Sequence, residues 1–202
     1  MGQELACIVR WENKISSGKA LLETSELLFR GEFRLKVPFS TIKNLHAGNG
    51  ELRMSTADGF VVLELGDKAE KWLQKIANPK SVMEKLGVKS GDRVAVFGKL
   101  EADFLSQLKG QKCPVVKGRI SPETMWIFLA ASKKEDLELF KHAAREMVGK
   151  AALWVLYAKG QKSLTEMDVI TAGRKAGLKD VKVVGFSPSH TALKFVIPLS
   201  KR

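Results

Sequence analysis

Ser90–Asp103, SGDRVAVFGKLEAD, contains the features that decide the fold of the second half of the chain. A turn sequence is followed by the apolar run Val94–Phe97, by a glycine and by acidic residues of the kind favoured in the first turn of a helix. An apolar run without alternation is typical of a strand that is buried on both faces. The stretch therefore predicts a buried strand, a turn and a helix.

The residues around this stretch continue the alternation of apolar strands and amphipathic helices. The predicted strands are residues 93–98, 114–116, 125–130, 152–157, 180–187 and 191–198, and the predicted helices are residues 81–86, 101–109, 132–149 and 165–177. The last two strands form a hairpin about residues 187–190. This order predicts an α/β sheet with helices on both faces and an antiparallel tail.

Residues 1–66 show the shorter period of an antiparallel β meander. The predicted strands are residues 7–12, 19–23, 26–30, 33–39, 41–46, 51–55 and 60–64, separated by turn formers such as Ser16-Ser17-Gly18. One helix follows, with Asp67 as the predicted N-cap, Trp72 on its apolar stripe and Asn78-Pro79 at its end. We therefore expect two domains, residues 1–80 and residues 81–202.

The composition is that of a globular protein, and its positive charge is uneven. The chain has 202 residues, 45% hydrophobic and 28% charged, and a net charge of +12. Residues 1–80 carry 12 basic and 10 acidic side chains, whereas residues 81–202 carry 22 and 12. A basic second half favours phosphates, nucleic acid or other anions as partners, although a solvated basic face is the simpler explanation.

Metal, disulfide and membrane functions find no support in the sequence. The two cysteines, Cys7 and Cys113, and the three histidines show no zinc-ligand spacing, and the cysteines are expected to be free thiols. No catalytic triad or carboxylate pair is recognisable. No apolar run is long enough to span a bilayer, and the first residues lack the apolar segment of a signal peptide, which predicts a cytoplasmic protein.

The first half resembles a pleckstrin-homology-like barrel. The resemblance is carried by LLETSELLFRGEFRLKVPFSTIKNL (21–45), LRMSTADGFVVLEL (52–65) and the helix AEKWLQKI (69–76). It implies seven strands closed by one helix, with Trp72 as part of the core. Domains of this kind bind phosphoinositides or peptides, but the first hairpin offers only Lys14 and Lys19 as basic residues.

The second half resembles the S-adenosylmethionine-dependent methyltransferase fold, a Rossmann-like sheet. The strands MWIFLAAS (125–132) and LWVLYAKG (153–160) and the closing hairpin DVKVVGFSPSHTALKFVIP (180–198) carry the likeness. The whole chain resembles a bacterial family classified as a domain of unknown function. NPKSVMEKLG (78–87), LGVKSGDRVAVFG (86–98) and ALWVLYAKG (152–160) carry that match, which implies a fold but no activity.

The cofactor implied by the methyltransferase resemblance requires two features of the loops. An adenosine cofactor needs small residues after the first strand and a carboxylate after the second strand for the ribose. The side chains of residues 99–101 are expected to crowd the first loop, and residues 117–119, Lys-Gly-Arg, contain no acceptor for a ribose hydroxyl. We therefore expect no cofactor, with S-adenosylmethionine as the alternative.

A ligand of such a sheet binds outside the carboxyl ends of the parallel strands. This rule selects Gly98, Lys99, Ser132, Lys133, Lys159 and Gly160. The three lysines would form an anion-attracting edge, or they are simply exposed side chains. His190, in the last hairpin turn, is either a ligand or proton-transfer residue or an ordinary turn residue.

These observations favour one function and leave two alternatives. The first hypothesis is a non-catalytic binding or scaffolding protein that recognises an anionic ligand or a protein partner. The second is a methyltransferase with an atypical cofactor loop, and the third is nucleic-acid binding by the basic half.

Overall fold

The computed structural model describes residues 3–201. The chain forms two compact units whose boundary lies between Lys80 and Ser81. No helix within residues 3–201 is both long enough and apolar enough to cross a membrane.

The N-terminal unit is an antiparallel sheet of seven strands that curls into a half-barrel. Its elements are β1 (Gln3–Trp11), β2 (Lys14–Leu22), β3 (Glu26–Arg30), β4 (Arg34–Pro38), β5 (Lys43–Gly48), β6 (Glu51–Thr56), β7 (Gly59–Glu64) and the helix α1 (Ala69–Ala77). The strand order is β4-β3-β2-β1-β7-β6-β5. Because consecutive strands pair as neighbours, the unit is built mainly from hairpins, as the meander pattern predicted.

The predicted turn at Ser16-Ser17-Gly18 is wrong, since these residues lie in the middle of β2. Ser16 is buried, and its hydroxyl accepts a hydrogen bond from the Glu32 backbone N–H at 3.0 Å. A Cβ atom at Gly18 would lie 2.7 Å from the Phe29 ring. The glycine is therefore needed for close packing against β3 and not for a turn.

The helix α1 packs its apolar stripe onto the half-barrel, with Trp72 only 2% exposed. The predicted N-cap is wrong, because a 3-10 turn, Gly66–Lys68, includes Asp67, and Lys68 stands at the N-cap position without a side-chain hydrogen bond. The helix still ends at the predicted position, with Asn78 as its C-cap.

The C-terminal unit alternates strands and helices. Its elements are α2 (Val82–Leu86), β8 (Val94–Phe97), α3 (Ala102–Gly110), β9 (Val115–Lys117), β10 (Trp126–Ala130), α4 (Leu139–Glu146), β11 (Ala152–Ala158), α5 (Glu166–Lys175), β12 (Lys179–Gly185) and β13 (His190–Val196). They form one six-stranded sheet of order β12-β13-β11-β10-β8-β9. The strands β8, β9, β10 and β11 pair in parallel, whereas β13 pairs antiparallel with both β11 and β12.

The sheet changes direction of winding between β8 and β10. From β8 the chain passes through α3 to β9 at one edge, and it then returns to β10 on the other side of β8. The helix α3 packs on one face with Phe104 and Leu108, whereas α4 packs on the opposite face with Phe140 and Ala143. The two connections therefore separate above the carboxyl ends of β8 and β10, where open α/β sheets form a ligand crevice.

The helix predicted over residues 132–149 is shorter in the structure. A 3-10 segment, Lys134–Glu138, precedes α4, and the carboxylate that accepts from the loop belongs to Asp136. At the start of α5, Thr165 and Asp168 form a capping box.

Candidate functional site

The region at the carboxyl ends of β8 and β10 is called the crevice, because sheets of this class bind ligands there, and Gly98 is the residue that follows β8 at this place. Gly98 has a φ of +76°, in the left-handed region that favours glycine. A Cβ atom at this position would lie 3.3 Å from the carbonyl carbon of Ala130 and in direct collision with its oxygen. Gly98 therefore lets the loop after β8 lie directly against the end of β10.

The loop after β8 is less crowded than the sequence suggested. Leu100 is only 8% exposed and packs into the core beneath α3, so its side chain points away from solvent. The Glu101 carboxylate is engaged by His190 and Ser187. Lys99 is exposed as well, so of the three side chains expected to crowd the loop only Leu100 is turned into the core.

The loop after β10 is organised by Asp136. Its Oδ2 atom accepts hydrogen bonds from the N–H groups of Ser132 and Lys133, at 2.8 and 3.1 Å, and from the Ser132 hydroxyl at 3.1 Å. Burial opposes the ionisation of Asp136, but these donors and the nearby Lys133 ammonium hold its pKa below the ordinary value. The Ser132–Lys133 backbone is thus fixed beside the crevice.

The edge of the sheet beyond β8 carries no acid. Lys117 ends β9, and residues 118–119 continue into a loop without a helix. Gly118 has a φ of +67° and open space around it, and its neighbours are Lys117 and Arg119. Within residues 3–201, no carboxylate directly follows β9 in the position that the methyltransferase resemblance implies for the ribose.

The remaining predicted site residues, Lys159, Gly160 and His190, come together at the ends of β11 and β13. His190 pairs with Ala158 across the strands, and Gly160 has a φ of +70°. The Lys159 N–H donates to the Ser189 carbonyl at 2.8 Å, and its ammonium donates to the Ser187 carbonyl at 2.8 Å. The predicted residues therefore form two groups, one at the crevice and one at the hairpin.

Glu101 connects these two groups, and sequence analysis missed this role. It precedes α3 as the N-cap residue, and its Oε1 atom lies 3.3 Å from Nδ1 of His190 and 3.2 Å from the Ser187 hydroxyl. The sequence identified Glu101 only as an acid at a helix start. No local pattern indicates a contact with a turn near the other end of the chain.

The lysine edge is present only as a set of exposed side chains. Lys99, Lys133 and Lys159 follow three adjacent parallel strands and are all exposed. The Lys99 ammonium makes no hydrogen bond or ion pair with residues 3–201, which leaves it available to an anion. In the same range no three His, Cys, Asp or Glu residues are placed to hold a metal ion.

Comparisons with solved structures find likeness to two S-adenosylmethionine (SAM)-dependent methyltransferases and to LepI. The chain is similar to a SAM-dependent methyltransferase from Aquifex aeolicus at 15% identity, covering 62% of this chain and 93% of that one, with a TM-score of 0.43. It is similar to a TehB-like SAM-dependent methyltransferase from Corynebacterium glutamicum at 9% identity, covering 65% and 97%, with a TM-score of 0.37. It is similar to LepI in complex with SAM at 13% identity, covering 58% of this chain and 39% of that one, with a TM-score of 0.38.

The chain is also similar in structure to LaPhzM. It spans only 56% of the length of LaPhzM and 39% of the length of LepI. No protein-family model matches the chain, and no curated protein matches it.

These likenesses correct two expectations. The sequence favoured a non-catalytic binding or scaffolding protein without a cofactor. The similar structures instead include two SAM-dependent methyltransferases, a complex of LepI with SAM and a complex of PigF with S-adenosylhomocysteine (SAH). They do not support the expected non-catalytic scaffold without a cofactor, and they agree better with the methyltransferase alternative. Since the identities are low, the likeness concerns the fold, and the activity of this chain is a matter for proposal.

Proposed function

We propose that the α/β unit binds S-adenosylmethionine in the crevice between β8 and β10 and acts as a methyltransferase. The observation that carries the proposal is the change of winding between these strands, with Gly98 packed against Ala130 at the base of the crevice. Ligands of open α/β sheets bind at such a point. The burial of Leu100 in the core supports the proposal further, because it removes one of the three side chains that were expected to crowd the loop after β8.

The residues around the crevice fit one end of this cofactor. The methionine part carries a carboxylate, and Lys99 and Lys133 stand exposed after β8 and β10 with ammonium groups of complementary charge. The ribose hydroxyls lack the acceptor after β9 that the resemblance implies. We therefore propose that the chain recognises the cofactor through its methionine end.

Calorimetric titration of the full chain with S-adenosylmethionine and S-adenosylhomocysteine tests this function. We expect a dissociation constant below about 1 mM, equivalent to more than about 4 kcal/mol of binding free energy. Lys99→Ala removes one exposed ionic contact, and it should weaken binding by about 1 kcal/mol, roughly fivefold in the dissociation constant.

Lys109→Ala is the matched control, since Lys109 is an exposed lysine in the last turn of α3, at the opposite end of that helix from the loop after β8. It should leave the affinity unchanged. Absence of binding to the unaltered chain, or equal losses in both variants, would reject the proposed site.

We further propose that the N-terminal half-barrel is a pleckstrin-homology-like domain and that residues 1–80 and 81–202 fold independently. The run of seven antiparallel strands followed by α1 supports the first statement, and the boundary after Lys80 supports the second. Limited proteolysis should cut within residues 78–81 or 87–93, which lie outside strands and helices. Resistance of both segments would indicate a single folding unit.

A further inference from the structure

Basic side chains flank the crevice on both sides. Lys117 ends β9 and Arg119 follows it in the next loop, whereas Lys159 and Lys162 follow β11. All four residues are exposed. They are separate from the two lysines after β8 and β10 that we assign to the cofactor, so they are available to a second ligand.

Carboxylates do not neutralise the charge of these two flanks. Residues 110–122 and residues 147–165 contain no Asp or Glu. Within the described part of the chain no ion pair engages the flanking side chains, and the Lys159 ammonium donates only to neutral carbonyl oxygens. The acids near the crevice follow β8 and β10, where Glu101 and Asp136 already accept hydrogen bonds from the protein.

The distance between the two flanks determines the kind of ligand. Adjacent strands are about 4.8 Å apart, so β9 and β11, with β8 and β10 between them, are separated by about 14 Å. A single carboxylate or phosphate cannot contact both flanks. A ligand that neutralises both must carry several negative charges along an extended backbone.

Two aromatic rings lie at the end of β8, between the flanks. Phe97 is the last residue of β8, and the centre of its ring lies 6.3 Å from that of the His142 imidazole on α4, in an edge-to-face arrangement. His142 is exposed. Exposed rings of this kind are stacking surfaces for the unpaired bases of a nucleic acid, which an acidic peptide does not have.

We propose that a single-stranded nucleic acid lies across the crevice, with phosphates at the two basic flanks and a base stacked on His142. The role of this strand as the methyl acceptor rests on the proposed methyltransferase function, whereas its binding does not. Phosphate contacts carry no sequence information, so the flanks position the strand and do not select its sequence.

Fluorescence anisotropy of the full chain with labelled oligouridylate and oligothymidylate of about 12 nucleotides tests the surface. Each neutralised phosphate of a single strand contributes about −0.7 to the slope of the logarithm of the association constant against that of the salt concentration, so four bases predict about −3. Binding should therefore weaken roughly fiftyfold when the salt concentration rises about fourfold. A slope near zero, or no binding of either probe at about 50 mM salt, would overturn the proposal.

A matched pair of double variants separates a defined surface from the overall positive charge. Lys117→Ala with Lys162→Ala removes one base from each flank, and it should weaken binding about tenfold and reduce the magnitude of the slope by about 1.4. Lys109→Ala with Lys150→Ala removes the same charge from exposed residues at the end of α3 and just before β11, and it should change binding by less than about twofold. Equal losses would assign binding to the net charge and overturn the proposed surface.

His142→Ala tests the stacked base. It should raise the dissociation constant about fivefold or more, since the stacking of one base on a side chain contributes at least this much. His46→Ala is the matched control, because His46 is an exposed histidine on β5 of the N-terminal unit, and it should leave the affinity unchanged. An unaltered affinity of His142→Ala, or equally tight binding of poly-L-glutamate, would overturn the assignment to a nucleic acid.

S-adenosylhomocysteine separates this inference from the proposed function. Protein saturated with it should bind the oligonucleotides within about twofold of the free protein, since a cofactor and a methyl acceptor must be bound together. Displacement of the oligonucleotides would place the strand in the cofactor site and overturn its role as the acceptor. If the unaltered chain binds the oligonucleotides but no S-adenosylhomocysteine, the methyltransferase function fails and the nucleic-acid surface stands.

Discussion

The backbone of Gly98 lies against the carbonyl group of Ala130, so that the loop after β8 and the end of β10 touch without an intervening side chain. This contact joins the two strands at the point where the connections of the sheet separate to opposite faces. It also sets the depth of the proposed crevice, because any Cβ atom at position 98 would push the loop away from the sheet.

Gly98→Ala should destabilise the C-terminal unit by about 3 kcal/mol, because it adds a steric clash to the strain of a positive φ. Gly118→Ala is the matched control, since Gly118 also has a positive φ but nothing within 4 Å of its added Cβ. It should cost only about 1 to 2 kcal/mol. Urea unfolding of both variants measures the difference, and equal losses would show that the contact with Ala130 is unimportant.

Gly173→Ala should destabilise the same unit by about 1 to 3 kcal/mol. Gly173 lies inside α5 with its Cα facing the buried Phe195 ring, and an added methyl group would collide with that ring. Gly110→Ala, at the end of α3 with open space around it, should instead be neutral or stabilising by up to about 1 kcal/mol. Thermal unfolding compares them, and stabilisation by Gly173→Ala would contradict the close packing of α5 on β13.

Trp72→Ala should destabilise the N-terminal half-barrel by about 3 to 5 kcal/mol, since it removes a large side chain that is almost completely buried beneath α1. Phe60→Ala provides the comparison, because that ring is 49% exposed, and its loss should cost about 0.5 kcal/mol or less. Equilibrium denaturation followed by tryptophan fluorescence and circular dichroism gives both values. A small effect of Trp72→Ala would show that the packing of α1 contributes little to the core of the unit.

Asp168 should contribute to stability only above strongly acidic pH. The Lys134 ammonium, 2.8 Å away, and the Thr165 N–H and hydroxyl lower its pKa from 3.8 to about 2. A carboxyl group whose pKa is depressed by folding stabilises the protein above its ordinary pKa, and this contribution is lost as pH falls from about 4 to about 2.

Lys134→Met should raise the pKa of Asp168 towards its ordinary value, with the Thr165 donors preserving part of the shift. NMR titration of the carboxyl groups measures the pKa of Asp168 directly. Lys141→Met, which removes a lysine paired with Glu138 on the same segment, should leave Asp168 unchanged. An unaltered pKa in Lys134→Met would assign the shift to Thr165 alone.

The outline of the fold could be predicted, whereas much of the site could not. Apolar runs such as Val94–Phe97 and Trp126–Ala130 identified the buried strands, because a strand covered on both faces has a local signature in composition. The residues after those strands were also predicted, since the carboxyl ends of parallel strands share one edge. No such signature shows whether their side chains point into the core or into solvent. The sequence therefore did not predict that the Leu100 side chain is buried.

The role of Gly18 could not be predicted from the sequence either. Gly18 follows two serines and resembles a turn former in sequence, but it lies within β2 because β3 passes too close for a side chain. Its role depends on Phe29, which lies on the neighbouring strand.

The sequence by itself determined the succession of strands and helices, the change of period near residue 80 and the excess of positive charge in the second half. These properties are local or additive, and each can be read from neighbouring residues. Only the tertiary structure decided that Leu100 is buried in the core and that Glu101 meets His190. Both depend on how α3 packs across the sheet, and contacts between residues far apart in the chain leave no periodic signal in a single sequence.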